Sequence, residues 1–195
     1  SDGSWMTPTK RFLSLGGAGI WWPGRTLNRS NEDNNLYYMP LSDAEFEIAF
    51  HKQEPNGLTL FTKMGGYSGS STRTELAAAI VAVAAHGAIH LASDSQAFVK
   101  AANALIKKIK NNKDNKIRWK MHNDGDLWEH FHLSLKSKSI EAVEIRWTKG
   151  HAKQLHIDKG ITTLVQKKME MIKLTRMLTK GQICTLKRSG TQPNG

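Results

Sequence analysis

The chain has 195 residues, enough for one domain with a real core, although only 39% of them are hydrophobic. Its net charge of +11 and pI near 9.8 favour an anionic partner, the alternative being a merely soluble basic surface. The single cysteine, Cys184, excludes an internal disulfide, and no apolar run reaches membrane-spanning length.

In chain order, Asp2-Gly3-Ser4 is a turn-forming triplet. With only Ser1 ahead of it, the chain reads as a fragment or a trimmed chain. Residues 16–22 read as a strand closed by Pro23-Gly24. Residues 28–35 form a polar loop. Residues 45–51 alternate polar and apolar, as a half-buried strand does. Pro55-Asn56-Gly57 turns the chain into a strand over 58–63, and residues 65–71 form a small flexible loop. A helix is expected over 72–86, with Leu76, Ala79, Ile80 and Val83 on one face. Thr72-Arg73-Thr74-Glu75 fits a capping box, in which Glu75 reaches back to the Thr72 amide.

Residues 89–95 read as a short buried strand ending in Asp94-Ser95, followed by a helix over 96–110. Phe98, Ala102, Leu105, Ile106 and Ile109 recur there at helical spacing. A carboxylate at the carboxyl end of such a strand points into the crevice where α/β sheets bind ligands. The structural alternative is that Asp94 or Ser95 only caps the helix. Residues 111–120 form a basic connector, read either as a solvated loop or as a phosphate-contacting strip through Lys113 and Lys116 with Trp119 beside it. Asp124 opens a further helix whose stripe of Leu127, Trp128, Phe131 and Leu135 reads as core. A strand over 141–148 runs out at Lys149-Gly150-His151. The domain is expected to extend to residue 178, ending in a basic, methionine-rich helix, and residues 179–195 are expected to be a disordered basic tail. Leading strands without intervening helices suit antiparallel pairing. Later, helix-separated strands suit parallel crossovers.

Several pieces, taken together and in order, resemble a type 1 ribonuclease H domain of the kind attached to retroelement reverse transcriptases. They are Ser1-Asp-Gly-Ser4, Gly17-Ala-Gly-Ile20, Ser71-Thr-Arg-Thr-Glu-Leu-Ala77, Ser93-Asp-Ser95, Asp126-Leu-Trp128 and Trp147-Thr-Lys-Gly-His-Ala152. The resemblance implies an α/β fold: a mixed five-stranded sheet with helices on both faces. It implies Asp2, Glu75 and Asp94 as carboxylates binding two Mg²⁺ ions, with Mn²⁺ as a substitute, and His151 as a mobile residue aiding proton transfer or product release. The implied substrate is an RNA–DNA hybrid, contacted by Ser71, Thr72, Arg73 and Ser95 beside the lysines of the connector. The protein is expected to be a monomer, free of membranes, within a larger reverse transcriptase polyprotein.

Two departures from the family pattern stand out. The family's first Asp ends a central strand, and here the chain ahead of Asp2 is too short for it, so the first strand reads as truncated. The family's fourth Asp has no counterpart in Met171-Ile-Lys-Leu-Thr175, which leaves Asp158 as a substitute metal ligand or a solvated loop residue. The leading expectation is metal-dependent hydrolysis of the RNA strand of hybrids. The alternatives are a decayed domain that binds nucleic acid without cutting it, an integrase or transposase relative, and a basic protein-interaction module. In integrases the Glu usually follows both Asp residues, whereas Glu75 precedes Asp94.

Overall fold

The structure, a computed structural model, describes residues 2–6, 14–29, 36–66 and 70–149. Contacts divide the chain into Ser1–Thr148 and Lys149–Gly195, and the fold below is that of the first unit. The expected helix over 160–178, the domain end at 178 and the tail over 179–195 lie outside the described residues. No described helix is long and apolar enough to cross a membrane.

Strand β1 (Asp2–Met6) pairs antiparallel with β2 (Ser14–Pro23), Asp2 opposite Gly19. Two short strands, β3 (Arg25–Thr26) and β4 (Tyr37–Tyr38), make a parallel pair. Helix α1 (Asp43–Ile48) leads into the hairpin of β5 (Phe50–Glu54) and β6 (Gly57–Gly66). β6 also pairs along the whole of β2, giving an antiparallel sheet in the order β1-β2-β6-β5. Its inner face is built by alternation: Ala18 and Ile20 from β2 and Leu58 and Leu60 from β6 are buried. Helix α2 (Ser71–Ala84) packs against β1, β2 and β6, and its buried Ala77, Ala78, Ala79 and Ala82 allow a close approach.

The second half is parallel, as helix-separated strands require. β7 (Ile89–Ser93) runs into α3 (Gln96–Lys110). After a connector and α4 (Gly125–Lys138), β8 (Val143–Trp147) pairs with β7, Ile89 opposite Val143 and Ser93 opposite Trp147. The helical spacing read in α3 holds: Phe98, Ala102, Leu105, Ile106 and Ile109 are all buried. The stripe on α4 is core too, for Phe98 stacks on Trp128 at 6.1 Å and tilts against Phe131 at 6.0 Å. The α/β class is therefore as expected. The described ladders form a four-stranded and a two-stranded sheet beside the short β3–β4 pair, not a single five-stranded one.

Three local expectations are corrected. Residues 45–51 are not one strand, because Ser42 and Glu45 form a capping box that starts α1. The Glu45 amide donates to Ser42 Oγ (3.1 Å) and the Ser42 amide to Glu45 Oε2 (3.0 Å). The alternating apolar residues mislead because Phe46, Ile48 and Phe50 are left exposed. Second, α2 is capped by Ser70, whose Oγ accepts from the Arg73 amide, and not by Thr72. Glu75 then stands too deep in the helix to reach the cap. Third, Asp2 does not terminate the first strand but begins it, and β1 is present as a five-residue strand. Gly3 explains how β1 lies so close to α2: a Cβ there would come within 2.3 Å of Thr74 Oγ1 and 2.7 Å of the Thr74 backbone.

Candidate active site

Glu75 is buried where β1, α2 and β7 meet. Its two carboxylate oxygens reach different strands. The Gly3 amide of β1 donates to Oε1 (2.7 Å), and Ser93 Oγ of β7 donates to Oε2 (2.8 Å). Ser93 Oγ in turn accepts from the Ser95 amide (3.1 Å). One carboxylate thus joins the antiparallel sheet to the parallel one, at the residue pair that flanks Asp94.

Asp94 leaves the end of β7, half-buried, and its carboxylate takes no hydrogen bond from any described residue. Its backbone is held firmly. Trp147 Nε1 donates to the Asp94 carbonyl (3.0 Å), and the Thr148 amide to the Ser93 carbonyl (2.9 Å). The capping alternative belongs to Ser95, whose Oγ accepts from the Phe98 amide. The side chain of Asp2 lies outside the described residues, but its neighbour Gly3 is the residue that donates to Glu75.

Arg73, expected to meet substrate, is engaged within the fold. It forms a bidentate pair with Asp126 (2.8 and 2.6 Å) and a longer contact to Asp124 (3.3 Å), while Ser70 Oγ donates to Asp124 (2.9 Å). The Arg73 guanidinium holds the Asp126 carboxyl down at about 2. These bonds fasten the start of α4 to the start of α2. Gly125 is required there, since a Cβ would lie 1.9 Å from the Trp119 carbonyl oxygen. Ser71 is exposed and Thr72 half-buried on the same turn of α2.

Lys113 and Lys116 are exposed on the connector, where with Lys108, Arg118 and His122 they line an open cleft of about 370 Å³. Beneath them Asp114 is buried and bound by His132 Nε2 (2.8 Å) and Lys136 Nζ (3.1 Å). Hydrogen bonds from His132 and then Lys136 pull the Asp114 carboxyl down to about 2. His151 and Asp158 lie outside the described residues.

The donors suit a hard divalent cation in kind. Mg²⁺ takes carboxylate oxygens, and commonly only one or two carboxylates together with substrate phosphate. Glu75 and Asp94 supply that number. Among the described residues no group of three or more His, Cys, Asp or Glu side chains is placed to hold a metal.

Sequence reasoning missed Ser93 and Gly3 as the partners of Glu75, although both stood inside the quoted motifs. It also missed Asp124, Asp126, Asp114 and His132 as anchors. Asp126 could have been paired with Arg73 only by knowing that α2 and α4 pack together, which no local pattern reveals.

The described residues form an α/β protein in which a helix carboxylate, Glu75, is bonded to β7 next to Asp94, and in which the connector carries a cationic cleft. The family model described as RNase H matches residues 48–165, more than half of the chain, and the chain belongs to that family. The match takes in Glu75, Asp94 and His151 and begins after Asp2. No curated protein and no solved structure matches the chain.

Proposed function

We propose that this domain hydrolyses the RNA strand of RNA–DNA hybrids in a divalent-metal-dependent reaction. The observation that carries the reading is the Glu75 carboxylate, fixed between Gly3 of β1 and Ser93 of β7 with Asp94 as the next residue. In this reading Asp2, Glu75 and Asp94 would hold two Mg²⁺ ions, or Mn²⁺ in their place, and Asp158 is either a weak substitute ligand or a solvated loop residue. Bound divalent cations supply an activated water and stabilise the charge on the leaving oxygen. The chain's own part is placement. Ser93 and the Gly3 amide set the orientation of Glu75, and the Trp147 indole fixes the backbone from which Asp94 projects.

His151 is proposed to move a proton or to help product leave. Ser71 and Thr72, at the start of α2, and Ser95, just after β7, are proposed to contact the hybrid. Arg73 acts through Asp124 and Asp126, keeping α4 and its connector in register with α2. Lys113 and Lys116 hold phosphates without reading sequence. Selectivity for RNA requires a contact to the 2′-hydroxyl that DNA lacks. The four-stranded sheet and the β7–β8 pair are proposed to be parts of one mixed sheet, and the reverse transcriptase context rests on the sequence resemblance alone.

The test uses labelled RNA–DNA hybrid, duplex RNA and duplex DNA, each with and without Mg²⁺. Cleavage of the hybrid's RNA strand alone, dependent on Mg²⁺, is the expected result. Hybrid binding without cleavage at any Mg²⁺ or Mn²⁺ concentration would instead identify a decayed binding domain.

A further inference from the structure

The connector between α3 and α4 carries its cations on a short, highly constrained path. α3 ends in a Schellman motif: Asn112 adopts φ 54°, the Lys113 amide donates to the Lys108 carbonyl (2.8 Å) and the Asn112 amide to the Ile109 carbonyl (2.9 Å). The next residue, Asp114, turns inward and meets two cation-capable side chains of α4. These are His132 Nε2 at 2.8 Å and Lys136 Nζ at 3.1 Å, both on Oδ2. The Ile117 amide donates back to the Asp114 carbonyl (3.2 Å), closing a turn that leaves Lys113, Asn115 and Lys116 exposed. Trp119 then lays its ring on His132 at 5.3 Å, so the same imidazole contacts the connector at two points.

Asp114 and His132 are both buried. A buried carboxylate and imidazole are costly to desolvate unless they serve each other. What they jointly fix is the geometry of the strip that bears Lys113, Lys116 and Arg118. We infer that Asp114 and His132 are positioning residues for hybrid binding, which act by holding the connector's cations at the spacing of a phosphate backbone. The inference rests on the proposed phosphate role of Lys113 and Lys116 and names the residues that make that role possible. A loose loop with the same charges would engage fewer phosphates at once, because each contact would then have to order the chain.

The test is a double-mutant cycle read as salt dependence of hybrid affinity. In the parent, replacing Lys113 and Lys116 together with Ala lowers the slope of log affinity against log salt by about 2. His132→Leu lowers it by roughly 1–2 in the parent and by about 0 in the doubly substituted background. His132→Gln, whose amide still donates to Asp114, keeps most of the parental slope. In hybrid cleavage, His132→Leu raises KM and leaves kcat unchanged. If His132→Leu does not fold, Asp114→Ala, which alters the connector and not a helix, carries the same cycle with the same expected slopes. A salt slope unchanged by His132→Leu or Asp114→Ala, while the double lysine variant lowers it, overturns the positioning role alone. So does an equal loss in both backgrounds. A slope unchanged by the double lysine variant overturns the phosphate strip and the positioning role together.

Discussion

Glu45 and Glu75 each stand three positions after a hydroxyl residue, Ser42 and Thr72, and both are buried on a helix. At Glu45 the pattern is a true capping box, and the carboxylate also receives both terminal nitrogens of Arg25, at 2.7 and 2.9 Å. Arg25 is itself fully buried and donates further to the carbonyls of Met39 and Pro40. At Glu75 the helix begins at Ser71, under the Ser70 cap, so the same spacing falls two positions too far in. Its carboxylate faces an amide and a hydroxyl from two strands. The pattern of residue types is shared, and the location of the helix start decides whether the glutamate closes a helix end or bonds to neighbouring strands.

The largest expected effects divide along that line. Glu45→Gln leaves the Arg25 charge buried without its counterion and should cost about 3–5 kcal/mol of stability, with cleavage per folded molecule retained. Glu75→Gln can still accept from Gly3 and hydrogen-bond Ser93, so it should lose about 1 kcal/mol or less. Its hybrid cleavage should fall by a factor of about 10² or more, since a neutral amide is a poor ligand for a hard cation. Urea unfolding and single-turnover cleavage on both variants separate the two glutamates. Comparable stability losses would erase the distinction.

Gly3→Ala comes next. The added methyl must displace Thr74 backbone, which overpacking data put at about 1–3 kcal/mol. Because the Gly3 amide holds Glu75, cleavage should fall by more than the unfolded fraction explains, as measured at a temperature where both proteins are folded. Smaller again is the cap. Ser70→Ala should cost about 1 kcal/mol, and Thr72→Ala less than about 0.5 kcal/mol, by thermal unfolding. The reverse order would restore the capping box at Thr72.

Acid provides a further contrast. Asp114 and Asp126 both titrate at about 2 when folded, below the unfolded value near 3.9. A depressed carboxylate contributes stability that is present above the unfolded pKa and is lost as pH falls through the folded one. The Tm difference between the parent and Asp114→Asn should therefore be full above about pH 4 and shrink toward pH 2. A difference constant across that range would mean that the charge on Asp114 does not matter.

Much of this organisation was legible beforehand. The spacing of Phe98, Ala102, Leu105, Ile106 and Ile109 defined the buried face of α3. Asp94 was correctly placed at a strand's carboxyl end because a short apolar run ran straight into helical spacing. What failed was the alternation at residues 45–51, where exposed Phe46, Ile48 and Phe50 imitate a strand. The Ser42 box was the better signal, but its strength comes from Arg25, twenty positions away and beyond the reach of local pattern. The Asp114–His132 pair was equally hidden, for its members stand 18 positions apart on different elements. Long-range partners, not propensities, decided each of these cases.

The most direct test of the central claim is a Mg²⁺ titration of hybrid cleavage, alongside hybrid binding, for the parent and Asp94→Asn. The account predicts Mg²⁺-dependent cleavage by the parent. It predicts that Asp94→Asn binds the hybrid as tightly, melts at the same temperature and does not cleave above the metal-free background. Equal cleavage by the two proteins at saturating Mg²⁺ would contradict it.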